Sequence, residues 1–260
     1  MANTLKLFLE IQKKHFKTAF ISKSDAFINT LLMIINNMSF AFMWWVLFQN
    51  RQSVNGWTFD EMLILFSITC NAFAIYALFF RGIDNIYRYI DSGSLDNFLV
   101  SPRSPLFMLS TSHSTFVNWG DFMCGFLAFY LSSYASLPNL FLIIIFSIYG
   151  FLLLFGFQLS IASVAFKTPN LERLGHNFLI AFLIFWHQPA SIFVGWLKVI
   201  FFTAIPAGFM TLLPVEMLRE FSWLTFLYMN IGCLGFFFLG IWLFNRGLKN
   251  YSSGNRFGVR

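Results

Sequence analysis

Apolar runs near the length of a membrane crossing alternate with short polar stretches along the whole chain. This alternation predicts six helical spans at residues 26–48, 61–80, 115–134, 140–166, 178–189 and 223–244. About 20 apolar residues in helical form cross ~30 Å of hydrocarbon. Membrane strands would instead leave shorter, alternating segments. The pattern therefore predicts an all-α membrane protein with one transmembrane domain over residues 1–260. Ser24 and Asp25 are candidate caps for the first span, which carries the pair Asn36 and Asn37 and ends near Trp44 and Trp45. Residues 106–114 are moderately apolar, and Pro138 with Asn139 predicts a turn before the fourth span.

Three segments depart from the alternation. Residues 4–20 fit an amphipathic helix in which Leu5, Phe8, Leu9, Phe16 and Phe20 share a face opposed by Lys6, Glu10, Lys13, Lys14 and Lys17. Leu7 and Ile11 fall outside that stripe. A basic amphipathic helix beside a span is expected to lie in the membrane interface. Residues 190–222 are apolar but interrupted by Pro206, Gly208 and Pro214, and they carry Lys198, Glu216, Arg219 and Glu220. Short re-entrant helices fit that composition better than a straight span, because irregular backbone is tolerated where protein or a water-filled cavity packs against it.

The third segment, residues 81–105, holds six charged residues in a chain that is 11 % charged. Ile83, Ile86, Tyr87 and Ile90 recur at helical spacing, while Arg81, Asp84, Arg88 and Asp91 project from the opposite face, with Asp84 and Arg88 one turn apart. Gly93 can end this helix in the left-handed conformation. Ser94 can cap a second short helix that begins with Leu95 and Asp96 and runs past Leu99 to the break at Pro102. An ordinary interfacial loop helix would show the same periodicity.

Composition strengthens the membrane reading. The chain is 58 % hydrophobic with 38 Phe, and its mean hydropathy is +0.68, more apolar surface than a soluble domain can bury. The net charge of +6 would suggest nucleic acid in a soluble protein; here basic residues gathered on the cytoplasmic side account for it. With the N-terminus inside, the segments predicted to be cytoplasmic hold fourteen of the 17 Lys and Arg, leaving Arg51, Lys198 and Arg219 outside. Both termini are thus expected in the cytoplasm. No cleavable signal peptide is expected, since the first 20 residues carry four lysines and lack a continuous apolar core. Cys70, Cys124 and Cys233 lie in apolar runs without CxxC spacing, and the histidines show no metal-ligand spacing. Asp121, early in the third span beside Trp119, is a candidate pathway carboxylate, with the headgroup region as the other place it could reach. His187 precedes Pro189 where interfacial hydrogen bonding accounts for it.

Gly56-Trp57-Thr58 with Glu61, then IDSGSLDNFLVSPRSPLF, IPAGFMTLLP and RGLKNYSSGN, together resemble the permease subunits of bacterial ABC exporters of the ABC-2 type. The similarity is strongest to the branch carrying a GxLDxxLxxP segment after the second span. It extends in order over nearly the whole chain. The resemblance implies a permease in the bacterial cytoplasmic membrane, paired with a second permease, related and non-identical or else an identical copy. Two ATPase subunits would bind ATP and magnesium beneath the pair. By the same resemblance Arg81, Asp84, Tyr87, Arg88, Asp91, Gly93, Leu95, Asp96, Leu99 and Pro102 belong to the ATPase-coupling segment. Pro206, Gly208, Pro214 and Glu216 belong to re-entrant helices that close the outer end of the pathway.

The chain has no GxxxxGK[ST] phosphate loop, so ATP hydrolysis is assigned to the partner, and neither catalysis nor a cofactor is expected in this chain. The expected cargo is amphipathic or hydrophobic, moved by alternating access. An ion-coupled secondary transporter would be expected to show internal repeats and buried ionisable groups. An integral-membrane enzyme would be expected to cluster His, Asp or Glu at one membrane face. These are the two alternative classes.

Overall fold

The computed structural model describes residues 2–49, 53–168, 172–189, 193 and 195–251. Parts of the loop after the first span, of the polar loop 167–177, of the segment 190–222 and of the basic tail lie outside the described residues. The described residues form α1 (Ala2–Ala19), α2 (Lys23–Phe48), α3 (Phe59–Phe79), a 3-10 turn (Arg81–Asn85), α4 (Ile86–Asp91), α5 (Asp96–Leu99) and α6 (Pro105–Ser110). A second 3-10 turn (Phe116–Asn118) leads into α7 (Trp119–Leu131), and α8 (Leu137–Ala162) ends in a third (Ser163–Phe166). Then come α9 (Glu172–Trp186), α10 (Trp196–Thr203), α11 (Gly208–Thr211), α12 (Leu213–Arg219) and α13 (Trp223–Lys249). The protein is an all-α, multi-pass membrane protein.

Among the described residues four helices are long and apolar enough to cross a membrane: α2, α3, α8 with its 3-10 extension, and α13. The bent pair formed by α10 with α11 and α12 would make a fifth if counted as one span; its halves turn by 89° around Pro206. The expected third and fifth spans come out short. α7 has 13 residues and α9 has 15, or ~20 Å and ~23 Å of helix.

Several boundaries also move. Ser22, not Ser24 or Asp25, is the extended residue before α2, so Asp25 sits in the first turn, where its charge suits the helix dipole. Pro138 lies inside the first turn of α8 rather than in a turn before it, with the Ser136 hydroxyl accepting from the Asn139 N–H at 3.4 Å. Proline is tolerated there because the first-turn N–H has no helical acceptor to lose. Residues 172–177, expected as loop, are helical, and α13 continues past 244 to place Arg246 and Lys249 in its last turn.

α3 is the centre of the molecule. It is buried over 83 % of its apolar window, against 11 % for α2, and α7, α8 and the α11–α12 pair pack around it. α8 and α13 meet backbone to backbone: a Cβ on Gly156 would run into the carbonyl of Phe236, and one on Gly240 into the carbonyl of Gly156. In lipid, where tails are as apolar as leucine, such close approach is a main source of helix association. Several hydroxyls within the spans bond their own helix, as Thr69 does to the Leu65 carbonyl at 2.9 Å and Ser147 to that of Ile143 at 2.7 Å.

α1 has three faces rather than two. Leu7 and Ile11, outside the expected stripe, are half-buried with Phe8 and His15 on the side facing the protein. There Phe8 meets Phe79 and Phe80 with ring centroids 6.0 and 5.9 Å apart, and His15 bonds the Thr111 carbonyl at 3.0 Å. Leu5, Leu9 and Phe16 remain exposed and form an apolar strip beside the lysines, as an interfacial helix requires.

Candidate functional site

The apolar face expected of the polar segment after α3 packs inward, although the segment begins as a 3-10 turn rather than an α-helix. Ile83, Ile86, Tyr87 and Ile90 are all buried. Gly93 takes φ +72°, the left-handed turn that separates α4 from α5. The Ser94 hydroxyl does not cap α5; it shares a 2.7 Å hydrogen bond with Ser92, and Leu95 occupies the position before the helix with its N–H donating to the Tyr89 carbonyl at 3.0 Å. Leu95 is fully buried and Leu99 half-buried, whereas Pro102 is exposed and the intervening Val100 is 85 % exposed. Asp91 and Asp96 are half-buried. The exposed tip of the segment is therefore Val100 and Pro102, and Val100 was invisible to motif reasoning because it is a variable position between two motif residues.

Asp84 does not pair with Arg88. The chain begins this segment with a 3-10 turn, whose three-residue winding sets Arg81 over Asp84, with Arg81 Nε to Asp84 Oδ2 at 3.3 Å. Asp84 Oδ1 accepts from the Tyr76 hydroxyl at 2.5 Å and from Gln158 Nε2 at 3.4 Å. Burial raises the Asp84 carboxyl above its usual range, opposed by the Tyr76 and Arg81 contacts. Arg81 also donates to Thr115 Oγ1 at 3.1 Å. Arg88 instead reaches Glu172 at the start of α9 (2.8 Å), which raises the Arg88 value further. Tyr87 packs against Gly175, where any Cβ would strike the phenol ring, and burial raises its hydroxyl pKa. The segment is thus joined to α3, to α8, to the residues before α7 and to α9.

At the opposite end of α3, Thr58 and Glu61 form a capping box: the Thr58 N–H donates to Glu61 Oε2 at 2.8 Å and the Glu61 N–H to Thr58 Oγ1 at 3.4 Å. Glu61 is then taken by Arg219 at the end of α12, through Nε to Oε1 and through Nη2 to Oε2 at 2.6 Å. Arg219 also donates to the Gly56 carbonyl at 2.7 Å and lies over the Trp57 ring, 5.6 Å from its centre. The Gly-Trp-Thr motif is accordingly a receptor for the break-rich segment. Pro206, Gly208 and Pro214 are buried within that segment, and Glu216 is half-buried. The Thr58-x-x-Glu61 spacing was a readable signal, but nothing in the sequence pairs Glu61 with Arg219.

Asp121 is buried between α2 and α7. Asn37 Nδ2 donates to Oδ1 at 2.7 Å and Asn118 Nδ2 to Oδ2 at 2.6 Å, so each carboxylate oxygen has an amide partner. His187, just past α9, bonds the Leu183 carbonyl at 2.8 Å. The three cysteines are buried and unbridged, and among the described residues no three of His, Cys, Asp and Glu gather as a metal-ligand set.

The family model described as ABC-2 family transporter protein matches residues 33–254. That interval takes in α3, the polar segment, the break-rich segment and all of α13. No curated protein and no solved structure matches the chain.

Proposed function

This chain belongs to the ABC-2 transporter family, and from that premise we propose that it is the permease subunit of an ATP-driven exporter in a bacterial cytoplasmic membrane. A separate ATPase, present as two copies with ATP and magnesium, docks on residues 81–105 from the cytoplasm and moves the permease by alternating access. The carrying observation is the construction of α3. One buried helix holds the polar segment at one end through Tyr76 and Asp84, and the break-rich segment at the other through Glu61 and Arg219. Tyr76 and Glu61 are ~22 Å apart along the helix axis, at ~1.5 Å per residue. A rigid element with a polar latch at each end suits transmission of a docking movement to an outer gate.

The full reading has six crossings, with α7 and α9 as short spans and α10 to α12 as the re-entrant pair. A second permease, related or identical, covers α2. That helix is exposed along most of its length and presents Asn36, an amide in an apolar helix with no hydrogen-bond partner among the described residues. An amide facing lipid is costly, so a facing helix is the better neighbour. The amphipathic or hydrophobic cargo passes between the permeases. An ion-coupled mechanism would draw on Asp121, whose two oxygens are instead engaged by asparagines that tie α2 to α7.

The test is reconstitution. The protein co-expressed with the P-loop ATPase of a neighbouring reading frame is expected to purify with it and to show cargo-dependent ATP hydrolysis. Transport by the purified protein alone on a proton gradient would overturn the reading. For orientation, a cysteine replacing the exposed Glu220 should react with a membrane-impermeant thiol reagent added outside intact cells, and one replacing the exposed Asn97 should not.

A further inference from the structure

A cavity of about 530 Å³ lies between the polar segment, the end of α8 and the first turn of α9. Its size is that of a small-ligand site. Arg81, Arg88 and Arg173 line it against Asp84 and Glu172, with His113 and His176 alongside. Burial, then the nearby charge of Arg81, lowers the His113 pKa and favours the neutral ring. Arg81 and Arg88 are engaged with the two carboxylates, whereas Arg173 has no ion pair among the described residues. The first turn of α9 adds N–H groups with no helical acceptor, which together with the helix dipole favour an anion.

Two further atoms mark the cavity as built for a ligand. Tyr87 and Gln158 are each 3 % exposed and line the cavity, yet the Tyr87 hydroxyl and the Gln158 Oε1 have no hydrogen-bond partner among the described residues. Leaving such a buried group unsatisfied is destabilising. The Tyr87 ring is held where it is by the missing side chain of Gly175, so the hydroxyl is fixed in place. The Gln158 amide is oriented by its Nε2 bond to Asp84, which leaves Oε1 as an acceptor without a donor. The two orphans ask for different things: the hydroxyl can donate to an anion, and the amide oxygen needs a hydroxyl or N–H from the ligand.

We propose that this cavity binds a phosphate group that carries a neighbouring hydroxyl, with Arg173 and the Tyr87 hydroxyl on the phosphate and Gln158 Oε1 accepting from the hydroxyl. That chemistry is shared by the headgroup of phosphatidylglycerol and by soluble glycerol phosphate. The site stands whether or not the chain works with an ATPase, and it gives the polar segment a ligand-sensing side as well as an exposed tip.

The test uses the purified full-length protein in neutral detergent. Binding of phosphatidylglycerol and of phosphatidylcholine is followed by native mass spectrometry, and that of glycerol 3-phosphate by equilibrium dialysis. Phosphatidylglycerol or glycerol 3-phosphate is expected to bind, with phosphatidylcholine, which lacks the hydroxyl, at least ~10-fold weaker. Tyr87→Phe, which keeps the ring, and Arg173→Gln, on an exposed side chain, should each weaken binding ~10-fold without lowering the melting temperature of the free protein. Binding of the lipid alone assigns the headgroup as the source, and binding of glycerol 3-phosphate alone assigns the soluble ester; either supports the site. Binding by neither, equal binding of phosphatidylcholine, or unchanged affinity in both variants would overturn it.

Discussion

The Glu61 carboxylate accepts two hydrogen bonds from the guanidinium of Arg219, a residue 158 positions further along the chain. Glu61 is almost fully buried and Arg219 about one-third exposed, so the pair is neither a solvated surface contact nor a sealed one. Its removal from one side leaves a buried carboxylate with only its cap.

Arg219→Ala is accordingly expected to lower the melting temperature by ~3–12 °C, the equivalent of one charged hydrogen-bond pair in a chain of this size. Arg219→Lys should recover only part of the loss, because an ammonium cannot fork two parallel bonds to one carboxylate. Thermal unfolding followed by tryptophan fluorescence measures both. Identical melting curves for the two variants and the parent would remove the pair from the stability account.

The exposed tip and the buried motif residue separate docking from folding. Val100→Asp should leave the melting temperature of the isolated subunit unchanged and reduce the co-purified ATPase by ~10-fold. Leu95→Asp should instead destabilise the subunit itself, since it places a charge in a fully buried position. Full ATPase retention by Val100→Asp would move the docking surface elsewhere.

Asp84 sets a pH dependence with a definite sign. Its folded pKa lies above the usual 3.8, so the folded state holds the proton more tightly than the unfolded chain. Its contribution to stability is fullest below that value and is lost as pH rises through the folded pKa. Subtracting the melting profile of Asp84→Asn from that of the parent between pH 4 and 7, at roughly half-unit steps, should leave a falling curve. A flat difference would show that burial does not govern this carboxyl.

Glycines of α8 and α13 differ sharply in what they tolerate. Gly156→Val should abolish the close approach of α8 and α13 and with it the yield of folded protein, whereas Gly235→Ala, on the same face-to-face pair of helices, meets nothing within 4 Å. The alanine is expected to be neutral or to gain up to about 1 kcal/mol from helix propensity. Monodispersity in size-exclusion chromatography distinguishes the two, and equal behaviour would sink the packing argument.

The all-helical membrane class, the inward face of the polar segment and the turn at Gly93 were legible because each depends on local spacing. The helix ends were less so. Pro138 reads as a turn in sequence but suits a first helical turn equally well, and Lys249 belongs to a helix because α13 continues beyond its apolar stretch. α1 shows why periodicity alone is incomplete. Leu7 and Ile11 spoil a two-faced pattern, yet they are the residues that meet the protein, and a pattern built for one apolar surface cannot anticipate a second. The pairings Tyr76 with Asp84, Arg88 with Glu172 and Glu61 with Arg219 were beyond reach, since each joins elements whose proximity is tertiary. The Asp84 case is instructive: one 3-10 turn replaces the expected partner four residues ahead with one three residues behind.

The burial of α3 bears on how the molecule is made. α3 carries Glu61, Ser67, Thr69 and Asn71, all buried, and leaves the ribosome well before α8, α12 and α13. During synthesis those groups meet the translocation machinery or the bilayer before they meet their final neighbours. Glu61 must wait for residue 219, so the latch at that end of α3 closes only when biogenesis is nearly complete. In a chain truncated before α12 that carboxylate would be left with its Thr58 cap alone.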